Sequence, residues 1–220
     1  GGEDVFTVEL NEDGSYTFTL QGNLDHADGA GENSLGLSFT LTGSPAEGSA
    51  TDYDLDPTAL EGLSVEQTFT VDIVDDVPQI GVVGGSVDED DLSDGTDQSD
   101  PTSFTQALTI DGGADGVASV ELGGIAALEN LGLTSGGETV EYELSEDGQS
   151  ITATANGTAV FTVSLVESGG SYAYSFELQG TLDHPVATAQ DSLSLPFDVI
   201  VTDGDGDVAS GTVSVDVIDD

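Results

Sequence analysis

The chain has 220 residues, 44 of them acidic, with no lysine and no arginine, giving a formal charge of −44. Nucleic acid and anionic membranes are gripped by cationic side chains, and phosphoryl-transfer sites hold phosphate with lysine or arginine, so these classes of function are excluded. The absence of cysteine removes disulfides, thiol chemistry and cysteine-ligated metals, while 36% hydrophobic residues and 30 glycines suit a turn-rich β protein with packed cores.

Along the chain, Val5 to Leu10 (VFTVEL) and the block from Tyr16 (YTFTL) alternate apolar and polar residues with period two. That period marks a strand with one buried face. Glu12-Asp13-Gly14 between them is a turn signal, and Ser34 to Phe39 (SLGLSF) and Phe69 to Asp76 (FTVDIVDD) continue the pattern. Pro78, just after Asp75-Asp76-Val77, stiffens a short linker and marks a domain boundary. Gly124 to Leu131 (GIAALENL) is the only helix candidate, a turn or two long. Glu146-Asp147-Gly148 signals another turn, and Asn156-Gly157 between ITATA and TAVFTV predicts a two-residue hairpin, because both residues tolerate positive φ. Many short strands with frequent turns predict an all-β fold of sandwich architecture. No apolar stretch approaches the ~18–20 residues of a membrane span, so direct membrane insertion is not expected. Without an initiating methionine or a signal peptide, the sequence reads as an interior piece of a longer protein.

The blocks repeat. Val5 to Leu10 matches Val160 to Leu165 (VFTVSL), and Tyr16 to His26 (YTFTLQGNLDH) matches Tyr174 to His184 (YSFELQGTLDH). SLGLSF at Ser34 matches SLSLPF at Ser192, and FTVDIVDD at Phe69 matches VSVDVIDD at Val213. The chain therefore divides into the back part of a first repeat, residues 1–76, and a complete second repeat, residues 77–220.

Acids at one residue in five repel one another, and no basic side chain is present to offset them. The counterion has to come from outside, and clustered carboxylates are the ligands that hard divalent cations prefer, which makes Ca2+ the expected cofactor. A salt-adapted acidic surface without specific ions is the competing reading. Asp203, Asp205 and Asp207 (DGDGD) place three carboxylates at alternate positions of a glycine-bearing loop, as the start of an EF-hand does. Val208 and Ser214 fall where that motif requires glycine and glutamate, so an EF-hand is rejected in favour of a calcium site at a sandwich edge, or else a solvated acidic turn. In the first repeat Asp52, Asp54 and Asp56 (DYDLD) are the corresponding trio, and Asp52 could share an ion with Asp75 or Asp76. The pairs Asp75-Asp76 and Asp219-Asp220 close the two repeats. With Glu89 of the acidic run at 88–91, they could hold a junction ion that turns a flexible linker into a stiff one. His26 and His184 share one repeat position, and each reads as a structural histidine near a turn, with Asp25 or Asp183 capping amides; Asp183 could also join the Asp203 loop as a ligand. Paired carboxylates also serve glycosidases, but the duplication and the absence of tryptophan argue against an enzyme.

LQGTLDHP followed by SLSLPFDVIVTDGDGDVASGTVSVDVIDD resembles the tandem repeat of giant RTX adhesins exported by type I secretion in Gram-negative bacteria. The resemblance covers the second repeat and most of the first. It implies tandem Ig-like, Greek-key sandwiches joined by short linkers, acting as calcium-rigidified extenders on the cell surface in adhesion and biofilm formation, with neighbouring repeats of the same chain as partners. The first repeat departs from this pattern: 27 residues lie between Leu41 and Phe69 where the second has 13 between Val199 and Val213. Its GSPAEGSATDYDLDP segment, running into the last strand, is similar to the end of a Calx-beta domain. This enlarged loop, Thr42 to Thr68, supports an alternative reading as a sugar- or peptide-binding adhesin module.

Overall fold

The computed structural model describes residues 4–27, 31–46, 62–93, 95–185 and 191–219. Among them the protein is nearly all β. The chain forms two compact units, one comprising residues 1–27 and 32–75 and the other 28–31 and 76–220.

The first unit is built from two hairpins. Strands β1 (Phe6–Leu10) and β2 (Tyr16–Leu20) pair antiparallel, as do β3 (Ser34–Gly43) and β4 (Val65–Val74). The Asn11–Ser15 turn closes the first hairpin: Gly14 takes a positive φ of 83°, and the Asp13 carboxylate accepts from the Ser15 amide and hydroxyl. Those two bonds hold the Asp13 carboxyl below its ordinary pKa, the hydroxyl contributing most. The hairpins meet through aromatic rings, with Tyr16 stacked on Phe69 at 4.0 Å and Phe6 edge-on to Phe39 at 5.9 Å.

The second unit is a two-sheet sandwich. One sheet has the order β10 (Thr134–Ser135), β11 (Glu138–Leu144), β12 (Ser150–Ala155), β13 (Thr158–Ser168), β14 (Ser171–Leu178) and β7 (Ser103–Ala107). The facing sheet has the order β6 (Gly85–Asp88), β16 (Val208–Ile218), β15 (Ser192–Asp203) and β9 (Val117–Gly123). A short antiparallel pair joins β5 (Gln79–Gly81) with β8 (Thr109–Asp111). Strands β7, β14 and β13 lie side by side as strands B, E and D of an immunoglobulin sandwich do, and β9, β15 and β16 as C, F and G. The parallel pairing of β6 beside β16, the only one among the described residues, completes an Ig-like Greek key.

The period-two pattern places the core. Val213, Val215 and Val217 of β16 point inward and are fully buried, as are Leu195, Phe197, Val199 and Val201 of β15, while the residues that alternate with them face outward. From the opposite sheet come Phe161, Val163, Tyr174 and Phe176, and Tyr174 meets Phe197 edge-on at 5.5 Å across the sandwich. The Tyr174 hydroxyl donates to the Val83 carbonyl at 2.7 Å, and burial pushes this phenol up to about 12. Pro196 lacks an amide to donate, yet sits within β15. The pairing to β9 begins only at Asp198, so no ladder bond on that side is lost at the proline. The predicted helix is a single short one, α1 (Ile125–Glu129), and Asn156-Gly157 forms the tight hairpin with φ of 48° and 77°.

Phe176 stacks on Phe161 at 5.4 Å and on Phe104 at 6.0 Å. Phe176→Ala is expected to destabilise the second unit by about 3–5 kcal/mol. Phe18→Ala, at the equivalent but half-buried position, should cost the first unit less than half of that. Hydrogen exchange read separately for each unit checks both.

Candidate metal centres

The β15–β16 hairpin brings Asp203, Asp205 and Asp207 together, each offering a carboxylate oxygen within 4.8 Å of the others. Gly206, at a φ of 97°, supplies the left-handed residue that the four-residue loop needs. A Cβ on Gly204 would lie 2.6 Å from the Asp115 carbonyl oxygen, so only glycine lets the loop settle against the turn after β8. The Asp203 Oδ1 accepts from the amides of Gly206 (3.1 Å) and Asp207 (2.8 Å), fixing the curl. The Asp207 Oδ1 accepts from the Gly31 amide at 2.8 Å.

The remaining oxygens of the trio, Asp203 Oδ2, both of Asp205 and Asp207 Oδ2, are buried without a hydrogen-bond donor. Asp203 and Asp207 are themselves 1% and 2% exposed. Burial, followed by the close approach of the Asp205 carboxylate, raises the Asp203 pKa. Carboxylate oxygens are acceptors only, and burying them without a donor or counterion is costly. A hard divalent cation, whose preferred ligands are such oxygens, fits this set.

Asp183 does not join the trio. Its two oxygens accept from the amides of Gly136 (3.0 Å) and Gly137 (2.7 Å), and the Thr134 hydroxyl, then these amides, hold its carboxyl below the ordinary value. Asp183 thus caps the turn between β10 and β11. Asp75 is buried in the first unit, where Asn33 Nδ2 donates to its Oδ2 at 3.1 Å and His26 Nδ1 lies 3.3 Å from its Oδ1. Asp76 belongs to the second unit, where its Oδ2 accepts from the Ala114 amide at 2.8 Å. Asp52, Asp54 and Asp220, with most of the enlarged loop, lie outside the described residues.

Glu89 and Asp219 meet a residue that the sequence reading left in a purely structural role. Glu89, in the 3-10 turn after β6, Asp219, just beyond β16, and His184, after β14, bring ligand atoms within 4.8 Å of one another. Asp191, a further residue at this site, accepts from His184 Nδ1 across 2.7 Å. Its position, immediately before the strand that starts SLSLPF, matches Asn33 before SLGLSF, and that register was the available signal.

Residues 85–216, more than half of the chain, match the family model described as Domain of unknown function (DUF5801). No curated protein and no solved structure matches.

Asp203→Asn keeps an oxygen for the Gly206 and Asp207 amides and adds a side-chain amide NH2 that can donate to the orphaned carboxylates. In chelator at neutral pH the variant is expected to be more stable than the unsubstituted chain by about 1–3 kcal/mol, and no longer to gain from calcium at this site. The sign follows from the raised pKa: Asp203 favours the ion-free fold below the ordinary carboxylate pKa, and that contribution is lost as pH rises through the raised value. Thermal melts against pH, with and without chelator, read both effects.

Proposed function

The chain belongs to the DUF5801 family, and we propose that it is a calcium-stabilised structural module of a large secreted adhesin on the surface of a Gram-negative bacterium. The observation that carries this reading is the buried Asp203–Asp205–Asp207 trio, whose orphaned oxygens face one another in a protein without lysine or arginine. The oxygen-only set suits Ca2+, which takes six to eight oxygen ligands in flexible geometry. The RTX-like blocks and the duplication support an extender, because repeating a whole sandwich lengthens a chain without adding a new site.

In this reading Asp203, Asp205 and Asp207 hold the ion, which supplies the positive charge that the sequence omits. The residues of the chain do the rest. The amides of Gly206 and Asp207 pre-curl the loop, and Gly204 lets it pack on the Asp115 turn. Strands β15 and β16, paired over eleven positions, carry that order into the core. Without calcium the same carboxylates repel, loosening the hairpin end. A chain loose where calcium is scarce and firm where it is abundant suits export followed by folding outside. It would work in series with neighbouring repeats and present a distal domain that meets a glycan or peptide.

Calcium at ~100 times a dissociation constant of roughly 10⁻⁴ M should stabilise the second unit by about 2.7 kcal/mol per site. Differential scanning calorimetry in calcium, in chelator and in sodium chloride of matched ionic strength measures it. Equal melting in chelator and calcium, or equal stabilisation by sodium chloride, would sink the proposal.

A further inference from the structure

We infer that the Glu89–His184–Asp219 cluster is a second metal site, chemically distinct from the aspartate loop, and that it takes a borderline divalent cation of the zinc class. His184 Nδ1 is held by the Asp191 carboxylate at 2.7 Å, which fixes the ring and leaves Nε2 as the outward-facing nitrogen. That Nε2 is buried and has no hydrogen-bond partner, in a side chain 2% exposed. The Glu89 Oε1 faces it at 3.6 Å, beyond hydrogen-bonding reach. Glu89 is equally buried, and its Oε1 is positioned by the Leu182 amide at 2.7 Å.

A carboxylate on one imidazole nitrogen, with the other nitrogen facing Glu89 and with Asp219 in the same cluster, is the second-shell arrangement of metal-ligating histidines. The donor set decides the ion. One imidazole nitrogen with two carboxylates suits Zn2+ with a further position left for water, whereas Ca2+ favours oxygen throughout. The backbone supports the geometry, because the Asp219 amide donates to the Asp191 carbonyl at 3.0 Å and ties the ligand to the residue that orients His184. A metal here would join the turn after β6 to the end of β16, the first and last strands of one sheet. The histidine–aspartate half of the set recurs in the first unit, where His26 Nδ1 lies 3.3 Å from Asp75 Oδ1 while Nε2 faces the Ile73 carbonyl at 3.2 Å. Glu89 is the ligand that the second unit adds.

Calorimetric titration of the full chain with Zn2+ in saturating calcium tests the assignment independently of the aspartate loop. The unsubstituted chain should bind zinc, His184→Gln should lose one site, and Asp191→Asn should keep the site with affinity weakened about 10–100-fold. Nitrogen-15 NMR of the imidazoles in the unsubstituted chain guards against a variant that fails to fold: zinc should shift His184 Nε2, identified by comparison with His26→Gln. An unmoved His184 resonance, zinc displaced in full by calcium, or an unchanged isotherm for folded His184→Gln would overturn the inference and leave His184 in a structural role.

Discussion

In a chain without lysine or arginine, every buried carboxylate must be stabilised by backbone or side-chain amides, by hydroxyls, by one of two histidines or by an ion from outside. That constraint orders the polar structure. Surface aspartates use the cheapest donors at hand: Asp90 takes the Thr96 hydroxyl and amide, Asp91 the Asp100 amide, and Asp183 two glycine amides. Buried Asp75 sits beside His26 and Asn33, and buried Glu89 takes the Leu182 amide and faces His184. The DGDGD loop has more oxygens than these donors can reach, and there the need for an external cation is concentrated.

The constraint also explains why both candidate centres lie at the ends of strands. A backbone amide inside a sheet is already committed to the ladder, so a carboxylate seeking donors must go where the ladder stops. Asp203 closes β15 and caps the turn into β16, Glu89 follows β6, and Asp219 follows β16. The sandwich core is then free of charge, with valine, leucine and phenylalanine on its inner faces.

Much of this was legible beforehand because strands and turns are local. Alternation in VSVDVIDD foretold that Val213, Val215 and Val217 point inward, and Asn156-Gly157 foretold its hairpin. The DGDGD spacing identified the trio, since alternate residues on a tight glycine loop converge whatever surrounds them. The meeting of His184 with Glu89, 95 positions upstream, and Asp219, 35 downstream, depends on the parallel pairing of β6 with β16, which no local pattern carries. Asp183, next to the histidine in sequence, caps the Gly136 and Gly137 amides of the turn after β10, the capping role that its place beside a turn suggests.

The duplicated blocks separate the two levels most clearly. YTFTL and YSFEL carry the same pattern, yet Tyr16 is 43% exposed and Tyr174 is fully buried, and Leu20 is 47% exposed against 2% for Leu178. The sequence by itself determined the strand period, the hairpins, the repeat and a charge that no residue of the chain can balance. Only the tertiary structure decided which of those strands are covered, since burial depends on neighbours such as β7, whose Phe104 stacks on Phe176. It also decided which carboxylates keep a water-like surrounding and which, like Asp203, are taken out of water beside others of the same sign, because desolvation is set by packing and not by spacing along the chain.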